Sequence, residues 1–407
     1  MNILLGVCGS ISAYKSYDIL RGFIKENCKV RIILTKGSLK FIKKETFYYL
    51  GAEKVYTYSD DFDISSQINN VLHIDLKDWS DKLIISPLSA NTLSKIANGQ
   101  CDDLLTSVFL SYTKKDVIVF PAMNTQMLEN ITTQRNIKLL SENPQCFIHP
   151  PSDGTLACGE IGKGKLPDVD TIVDFSIIFN NKIKNRTILI TTGATIAPID
   201  PVRFITNPSS GKTGFELAKS YLEEGCEVYL VYGMHSTFNK YSLLSHPRLH
   251  MIEVSTTEQM YQKVNKLFER ADVFISSAAV SDFEFIQSDS KIKKDKTEKR
   301  LNFSWAKDIL KEMIKKKTKK QKIISFAAET SNNEDIFQNK FQNKPVDLMV
   351  GNLVHNGFNG KPQGFGQNKN QYFFIKNGKV DKSETMTKNE LSKIIKNFTE
   401  NHNDKNN

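Results

Sequence analysis

The first half of the chain alternates short apolar runs with longer segments whose apolar residues recur at helical spacing. The runs have the length of buried strands and lie at 3–7, 30–34, 82–86 and 117–120. Helical patterns cover 11–26, 89–98 and 124–140. This alternation is typical of βαβ units, in which helices cover both faces of a parallel sheet. We therefore predict a doubly wound, mainly parallel α/β domain.

The same pattern begins again after the polar stretch 180–186. Strand-like runs follow at 187–191, 227–232, 272–276, 322–325 and 346–350, with helical patterns at 211–224, 256–270 and 333–343. A chain of 407 residues is too long for one ordinary core. We predict tandem domains at 1–180 and 187–400, a linker at 181–186 and a disordered tail at 401–407. Ligands of such domains bind beyond the carboxyl ends of the strands.

Composition narrows the class of protein. With 40% hydrophobic and 25% charged residues, the chain resembles an ordinary soluble protein. No apolar run approaches the roughly 20 residues that cross a bilayer, and the chain opens on a strand-like run, so we expect neither a membrane segment nor a signal peptide. The six cysteines are scattered and form no C-x-x-C pair, which argues against disulfides and zinc and favours the cytoplasm.

The net charge of +10 raises the question of a nucleic-acid partner. The basic residues are widely spread, thickest between 291 and 322, and no recognition motif accompanies them. We expect no nucleic-acid binding, because a positive field suits phosphorylated small molecules equally well.

The first β-to-α turn of each half argues against a tandem NAD(P) oxidoreductase. Neither 6–10 nor 191–195 has the G-x-G-x-x-G spacing of a dinucleotide site. The segment S-S-G-K-T-G at 209–214 is not a P-loop either, because Ile205 stands where the first glycine belongs. Taken alone, 209–214 is equally well a capped loop before a helix.

Several segments of the first half could carry chemistry. The turn at 6–11 and the loop at 86–92 could hold a phosphate on free backbone N–H groups, or simply make tight turns. Asn124 opens a helix and could be only its N-cap. His73 and Cys158 could be structural, although Cys158 lies in the glycine-rich stretch 151–162, which suits a flap closing over a substrate.

Four motifs of the first half resemble the homo-oligomeric flavin-containing cysteine decarboxylases. P-L-S-A-N-T at 87–92, P-A-M-N-x-x-M at 121–127 and A-C-G at 157–159 carry the resemblance, and H-I-D-L at 73–76 is similar to the phosphopantothenoylcysteine decarboxylase branch. The resemblance implies a flavodoxin-like fold. It also implies an FMN site at Gly9, Ser10, Ile11, Thr35, Ser86, Ser89 and Asn91.

The same resemblance implies the chemistry. The flavin would oxidise the substrate thiol to a thioaldehyde, which then loses CO2. The reduced flavin would reduce the resulting enethiolate. Cys158 would protonate it, Asn124 would bind the substrate carboxylate and His73 would assist the oxidative decarboxylation. A thiol and an imidazole can exchange protons near neutral pH. The family usually has Asp after A-C-G, whereas Glu160 stands here.

Motifs of the second half resemble phosphopantothenate–cysteine ligases, with a Rossmann-like fold. They are D-P-V-R-F-I-x-N-x-S-S-G-K-x-G at 200–214, A-A-V-S-D-F at 278–283, K-I-K-K at 291–294, F-A-A-E-T at 326–330 and G-F at 364–365. The resemblance implies that the carboxylate of 4′-phosphopantothenate attacks CTP, and that L-cysteine then displaces CMP from the acyl cytidylate. Asn207 and Lys291 would be catalytic. The nucleotide would contact Ala278, Asp282, Lys291, Ala306, Lys307, Asp308, Ile309, Phe326, Lys340 and Lys344.

Magnesium would accompany CTP, with Asp282 as its candidate ligand. Lys340 and Lys344 could also be only an exposed helical pair of like charges, which a bound anion would relieve. Departures from the ligase pattern at Ile196, Ala197, Pro208 and Trp305 leave open a preference for ATP, or an impaired ligase beside an active decarboxylase. The resemblance finally implies a homo-oligomer: trimeric decarboxylase domains with flavin at subunit contacts, and dimeric ligase domains, together a dodecamer. A non-catalytic flavoprotein is the remaining alternative.

Overall fold

This computed structural model describes residues 1–62, 71–113, 115–238, 240–293, 301–356, 362–363 and 369–400. The chain forms two compact units by its internal contacts. One unit consists of Met1–Asn181 and Tyr241–Ser245, and the other of Lys182–Lys240 and His246–Asn407. Among the described residues, no helix is both long enough and apolar enough to cross a membrane. The predicted tail at 401–407 and the G-F motif at 364–365 lie outside the described residues.

The first unit is built on a parallel sheet. Its strands are β1 (Asn2–Val7), β2 (Lys29–Leu34), β3 (Lys54–Thr57), β4 (Lys82–Leu88), β5 (Asp116–Pro121), β6 (Cys146–Ile148), β7 (Ser152–Thr155) and β8 (Ile161–Lys165). Its helices are α1 (Ser16–Lys25), α2 (Lys44–Tyr49), α3 (Leu72–Trp79), α4 (Ala90–Ala97), α5 (Leu104–Ser111), α6 (Thr125–Glu129), α7 (Ile131–Ser141) and α8 (Val169–Ile178). The sheet order is β3-β2-β1-β4-β5-β6, and each neighbouring pair is parallel. β7 and β8 form a separate antiparallel hairpin.

Burial explains why these runs form central strands. Ile3, Leu4 and Leu5 are successive residues of β1 and all three are fully buried. Successive strand residues point to opposite faces, so both faces of this sheet are covered. In α1, Ile19 and Phe23 are buried four residues apart, as expected for one apolar helix face.

Two predicted helices differ from the structure in detail. The segment 11–26 begins as a 3-10 helix over Ile11–Lys15 before α1 starts. The segment 124–140 is divided into α6 and α7, because Asn130 adopts a non-helical backbone (ψ 133°) and caps the second helix through Thr132 N at 2.9 Å.

The second unit has a larger, mixed sheet. Its strands are β9 (Thr187–Thr192), β10 (Ile196–Pro198), β11 (Phe204–Thr206), β12 (Glu227–Gly233), β13 (Leu249–Val254), β14 (Val273–Ser276), β15 (Phe283–Phe285), β16 (Phe303–Trp305), β17 (Lys322–Glu329), β18 (Leu348–Leu353), β19 (His355–Asn356), β20 (Pro362–Gln363), β21 (Lys369–Lys376) and β22 (Lys379–Thr387). Its helices are α9 (Lys212–Leu222), α10 (Thr257–Phe268), α11 (Ile309–Lys316), α12 (Glu334–Asn343) and α13 (Lys388–Glu400). The main sheet runs β13-β12-β9-β14-β17-β18-β21-β22.

This sheet is parallel from β13 to β18, and β21 and β22 join it antiparallel. β10 pairs with β11 and β15 with β16 as small antiparallel ribbons. The predicted fold class, two tandem and mainly parallel α/β domains, is confirmed. In both units the carboxyl ends of the parallel strands are the places to search for a site.

Candidate functional site

A cavity of about 570 Å³ lies at the carboxyl ends of the strands in the first unit. Three loops surround it: the turn after β1, the loop after β4 and the loop after β5. Of the residues predicted from the sequence, Gly9, Ser10, Ile11, Ser89, Asn124 and Cys158 line this cavity. Its volume is in the range of about 300–1,000 Å³ that is typical of small-molecule sites.

The β7–β8 hairpin is seated on the loop after β5 by backbone contacts. Met123 N donates to Gly164 O at 3.1 Å, and Thr125 Oγ1 donates to Lys163 O at 2.7 Å. Gly164 has a φ of +122°, and a Cβ atom there would lie 2.1 Å from Met123 O. Because no other residue fits so close to backbone in this conformation, Gly164 fixes where the hairpin rests.

Asn124 and Cys158 meet at the end of this hairpin. Asn124 Oδ1 accepts from Gln126 N at 2.9 Å, so the residue is the N-cap of α6. The cap leaves its amide free to donate, and Nδ2 lies 3.1 Å from Glu160 Oε2 and 3.5 Å from Cys158 Sγ. Cys158 Sγ also lies 3.6 Å from Glu160 Oε2. The arrangement places an exposed thiol and an oriented amide at one wall of the cavity, with a carboxylate in contact with both.

The other predicted residues of the first half lie apart from this cluster. His73 is on α3, and its Nδ1 is 2.9 Å from Asp61 Oδ1; it does not line the cavity among the described residues. Thr35 is buried at the end of β2, where its Oγ1 donates to Val7 O at 3.2 Å. Asn91 is exposed on the first turn of α4.

The cavity has the features that an implied FMN needs. Ser89 caps α4 by accepting from Thr92 N at 3.3 Å, and the N-terminus of such a helix favours a phosphate. Lys15 and Lys165 add positive charge to the lining. Burial lowers the pKa of Lys15, because it disfavours the charged form of the side chain. A bound anion would favour the charged form again. Beneath the same loops, Ser86 Oγ is buried without a hydrogen-bond partner among the described residues.

A smaller cavity, of about 140 Å³, lies at the carboxyl ends of the strands in the second unit. Ala278 after β14 and Phe326 in β17, two of the residues predicted to contact a nucleotide, line it. The loop 209–213 closes one side, where Gly211 has a φ of +78° and Ser210 Oγ accepts from Lys212 N at 3.4 Å. The sequence identified this loop but left its role open.

A buried carboxylate organises the neighbouring loops. Asp200 Oδ1 accepts from Val202 N at 2.8 Å and Arg203 N at 2.9 Å, while Oδ2 accepts from Arg203 Nε at 2.9 Å and Ile292 N at 3.1 Å. Hydrogen bonding from Arg203 holds the pKa of Asp200 far below its usual range. Asp200 begins the motif at 200–214, and the sequence alone predicts no role for it.

The two predicted catalytic residues of the second half lie on segments that Asp200 connects by hydrogen bonds. Asn207 follows β11, and its Nδ2 donates to Ala279 O at 3.2 Å and Val280 O at 3.0 Å. Lys291 is exposed and directly precedes Ile292, which Asp200 holds. Both residues are thus attached to the β10–β11 ribbon and its connecting loop.

The remaining predicted nucleotide contacts are ion-paired within the unit. Lys340 pairs with Glu329, and Lys344 pairs with Asp308 at 2.6 Å. Lys307 lies 3.6 Å from Glu258. These lysines do not line the small cavity among the described residues.

The segment around β16 is held by Asp282. Its carbonyl accepts from Ala306 N at 2.8 Å, and its side chain is exposed. Ile309 is buried at the start of α11. No group of three or more His, Cys, Asp or Glu side chains within the described ranges could hold a metal ion.

Two family models together match almost the whole chain. The Flavoprotein model matches residues 1–181, and the model of the DNA/pantothenate metabolism flavoprotein C-terminal domain matches residues 183–401. The chain is 36% identical over 399 residues to the coenzyme A biosynthesis bifunctional protein CoaBC of Bacillus subtilis (strain 168), covering 96% of this chain and 94% of that protein. It is 35% identical to the Escherichia coli (strain K12) protein of the same name, covering 88% of each.

The chain belongs to the coenzyme A biosynthesis bifunctional protein family. Among solved structures, a mutant PPC decarboxylase complexed with pantothenoylaminoethenethiol is 38% identical, with a TM-score of 0.39, over 42% of this chain and 93% of that one. As a member of this bifunctional family, the chain has a flavoprotein unit in front and a pantothenate-metabolism unit behind, in the order of its relatives.

Proposed function

We propose that this chain makes 4′-phosphopantetheine for coenzyme A in two consecutive reactions. The second unit ligates L-cysteine to 4′-phosphopantothenate with CTP through an acyl cytidylate, and the first unit decarboxylates the 4′-phosphopantothenoylcysteine that results. The observation that carries the proposal is the meeting of Asn124 and Cys158 at 3.5 Å on the wall of a ligand-sized cavity, in a flavoprotein unit of this bifunctional family.

In the first unit the side chains bind and protonate. The amide of Asn124, fixed by its capping bond, donates to the substrate carboxylate in the place that Glu160 now fills. Cys158 gives a proton to the enethiolate, because the hairpin brings its thiol to the same wall of the cavity. FMN would be held by Gly9, Ser10, Ile11 and Ser89, with Thr35, Ser86 and Asn91 around them, and would supply the redox chemistry.

We propose that a second copy of the chain completes the decarboxylase site. His73 lies on α3 outside the cavity that Asn124 and Cys158 share. Trimeric packing of the decarboxylase domains, with flavin at subunit contacts, would let His73 of one copy serve the cavity of another. Dimeric ligase domains would then give a dodecamer, acting in the cytoplasm.

In the second unit the residues hold and activate a triphosphate. Ala278 and Phe326 line the nucleotide cavity, and Lys291 neutralises charge as the carboxylate attacks the α-phosphorus. Lys340 and Lys344 exchange their carboxylate partners for phosphate oxygens, with Lys307, Asp308, Ala306 and Ile309 around the nucleotide. Asn207 turns over the acyl intermediate. Asp282 would be the candidate ligand for the Mg2+ that accompanies CTP.

The domain boundaries in this proposal are 1–180 for the decarboxylase, 181–186 for the linker and 187–400 for the ligase. The test incubates the full chain with 4′-phosphopantothenate, L-cysteine, Mg2+ and either CTP or ATP, followed by mass spectrometry. We expect 4′-phosphopantetheine with CTP. Accumulation of 4′-phosphopantothenoylcysteine would indicate a ligase beside an inactive decarboxylase. Decarboxylation of added 4′-phosphopantothenoylcysteine without any ligation would refute the ligase half, and no turnover of either substrate would refute both.

A further inference from the structure

One buried lysine of the second unit has neither a hydrogen bond nor an ion pair among the described residues. Lys388, the first residue of α13, is only 6% exposed and lines the small cavity. It makes no hydrogen bond or ion pair with the described part of the chain. The charge of Glu216 on α9 favours the protonated lysine and so acts to raise its pKa, but this carboxylate is paired with Lys219 at 3.8 Å. Placing a charged lysine out of water without a partner is costly, so this position is unfavourable unless an anion enters.

The first unit shows how this family of folds otherwise buries a lysine. Lys82 is also 6% exposed, but its Nζ donates to three backbone carbonyls at the end of α8, those of Ser176, Ile177 and Phe179, at 2.8, 2.9 and 2.5 Å. A cation near a helix C-terminus is favourable. Lys82 therefore has a structural explanation within its own unit, and Lys388 lacks one.

The position of Lys388 in its helix adds to the cost. It opens α13, where the helix dipole disfavours a positive charge. Helices α9 and α13 run in parallel, since Ser220 Oγ is 2.5 Å from Ser392 Oγ and Glu224 is 2.6 Å from Lys396. The start of α9 therefore lies at the same cavity as the start of α13. Two helix N-termini thus point the same way, toward the carboxyl ends of the strands.

The cavity lining matches a polyanion. Among the described residues that line it, Lys212 and Lys388 are cationic, Ser209, Ser210 and Thr213 carry hydroxyls, and none is acidic. Burial, and secondly the charge of Lys212, lower the pKa of Lys388 to about 8. A bound anion would reverse that shift. A volume of about 140 Å³ is too small for a whole nucleotide, but suits its phosphate groups.

We infer that Lys388 binds the β- and γ-phosphates of the nucleotide, and that it determines affinity for a triphosphate over a monophosphate. The inference rests on the proposed ligase function and adds to it a residue whose role is to hold the phosphate chain that leaves as pyrophosphate. In the unbound chain, the buried charge of Lys388 destabilises the fold. Binding of the nucleotide phosphates offsets that destabilisation.

The test measures binding of CTP, CMP and pyrophosphate to the full chain by isothermal titration calorimetry in the presence of Mg2+. Lys388→Met should lower the affinity for CTP and for pyrophosphate about 10- to 100-fold, as expected for the loss of one charge-assisted contact. The affinity for CMP should fall less than about twofold. Lys388→Arg should retain most of the CTP affinity. Lys393→Met, on the exposed side of the same helix, should leave all three unchanged.

Thermal unfolding without nucleotide separates a binding role from a structural one. Lys388→Met should keep the thermal midpoint of the second unit or raise it by a few degrees, because it removes a buried charge that has no hydrogen bond or ion pair among the described residues. A lower midpoint, or equal losses of CTP and CMP affinity, would show that Lys388 acts through packing and would overturn the inference alone. If the unchanged chain binds no CTP, the proposed ligase function fails and the inference fails with it.

Discussion

The two candidate sites differ in how their reactive side chains are held. In the first unit, Asn124 and Cys158 are in direct contact, because a hairpin seated on backbone atoms brings them together. In the second unit, the segments that carry Asn207 and Lys291 are connected through Asp200, whose carboxylate accepts from backbone N–H groups of both, while the Asn207 amide donates to backbone carbonyls. One site is assembled by a direct contact between side chains, and the other by an intermediary.

The difference predicts where substitutions act. In the first unit, a change at the reacting side chain itself should be costly, and changes of exposed neighbours that leave the hairpin in place should be mild. In the second unit, a change at the intermediary should reach the chemistry from a distance, because loops that carry reacting groups need accurate placement. Measuring both activities on each variant of the same chain tests this contrast directly.

The largest effect is expected for Cys158→Ser. A serine hydroxyl is a much weaker acid than a thiol, so protonation of the enethiolate should slow, and 4′-phosphopantetheine formation should fall about 1,000-fold. Ligation should be unchanged. The readout is steady-state conversion of 4′-phosphopantothenoylcysteine, with Cys101→Ser, another exposed cysteine, as the matched control. Equal loss in both variants would remove Cys158 from the mechanism.

Lys291→Gln should produce the second largest effect. Loss of a cation that neutralises developing phosphate charge should lower the rate of acyl cytidylate formation about 100-fold. Pyrophosphate release in a single turnover reports that step. Lys293→Gln, two residues away and also exposed, should retain activity. Similar rates for the two variants would mean that the segment provides only general positive charge.

Asp200→Asn tests the intermediary itself. The amide cannot accept all the donors that now converge on the carboxylate, so the loops of Asn207 and Lys291 should loosen and ligase kcat/KM should fall about tenfold, while decarboxylation is unchanged. Asp200 touches no reacting atom, so a loss in kcat with an unchanged KM for cysteine would mark it as a positioning residue. Unchanged ligation would break the contrast between the two units.

The pH dependence of this variant follows from the low pKa of Asp200. Because that pKa is depressed in the folded chain, ionised Asp200 stabilises the folded state. This stabilisation is fully present above the unfolded pKa of about 3.9 and is lost as the pH falls through the folded pKa. The difference in thermal midpoint between the unchanged chain and Asp200→Asn should therefore be constant from pH 8 to about pH 5. A difference that shrinks within that range would contradict the assignment.

The smallest effect is expected for Glu160→Asp. The shorter side chain would lengthen the 3.1 Å contact with Asn124 Nδ2 without removing the charge. Exposed contacts of this kind contribute little, so KM for 4′-phosphopantothenoylcysteine should change about two- to threefold. A tenfold change would show that the flap geometry depends on the glutamate, and the first site would then resemble the second.

The sequence predicted the central strands and the fold class because those features repeat at short range. The apolar runs at 3–7 and 187–191 fall within β1 and β9. Short strands such as β3 and the antiparallel β21–β22 pair were missed, because a four-residue strand with one buried residue, or an edge hairpin, leaves a weak periodic signal. The resemblance of the motifs correctly predicted the bifunctional family.

Contacts between residues far apart in the chain could not be predicted in the same way. Asp200 holds Ile292 across 92 positions, and nothing in either local pattern indicates the pairing. Lys388 stands in a lysine-rich helix and looks like any solvated charge until burial sets it apart. The departure at Glu160 was visible, but its contact with Asn124 was not. The individual roles of the site residues remain predictions.

The close contact between the β7–β8 hairpin and the backbone after β5 limits which residues of the hairpin can vary between organisms. Gly164 rests against Met123 O, whereas Ile161 of the same hairpin is 85% exposed. Natural variants should therefore differ freely at Ile161 and hardly at all at Gly164. Random mutagenesis of this segment should return almost no viable substitution at Gly164, although that residue takes no part in the reaction.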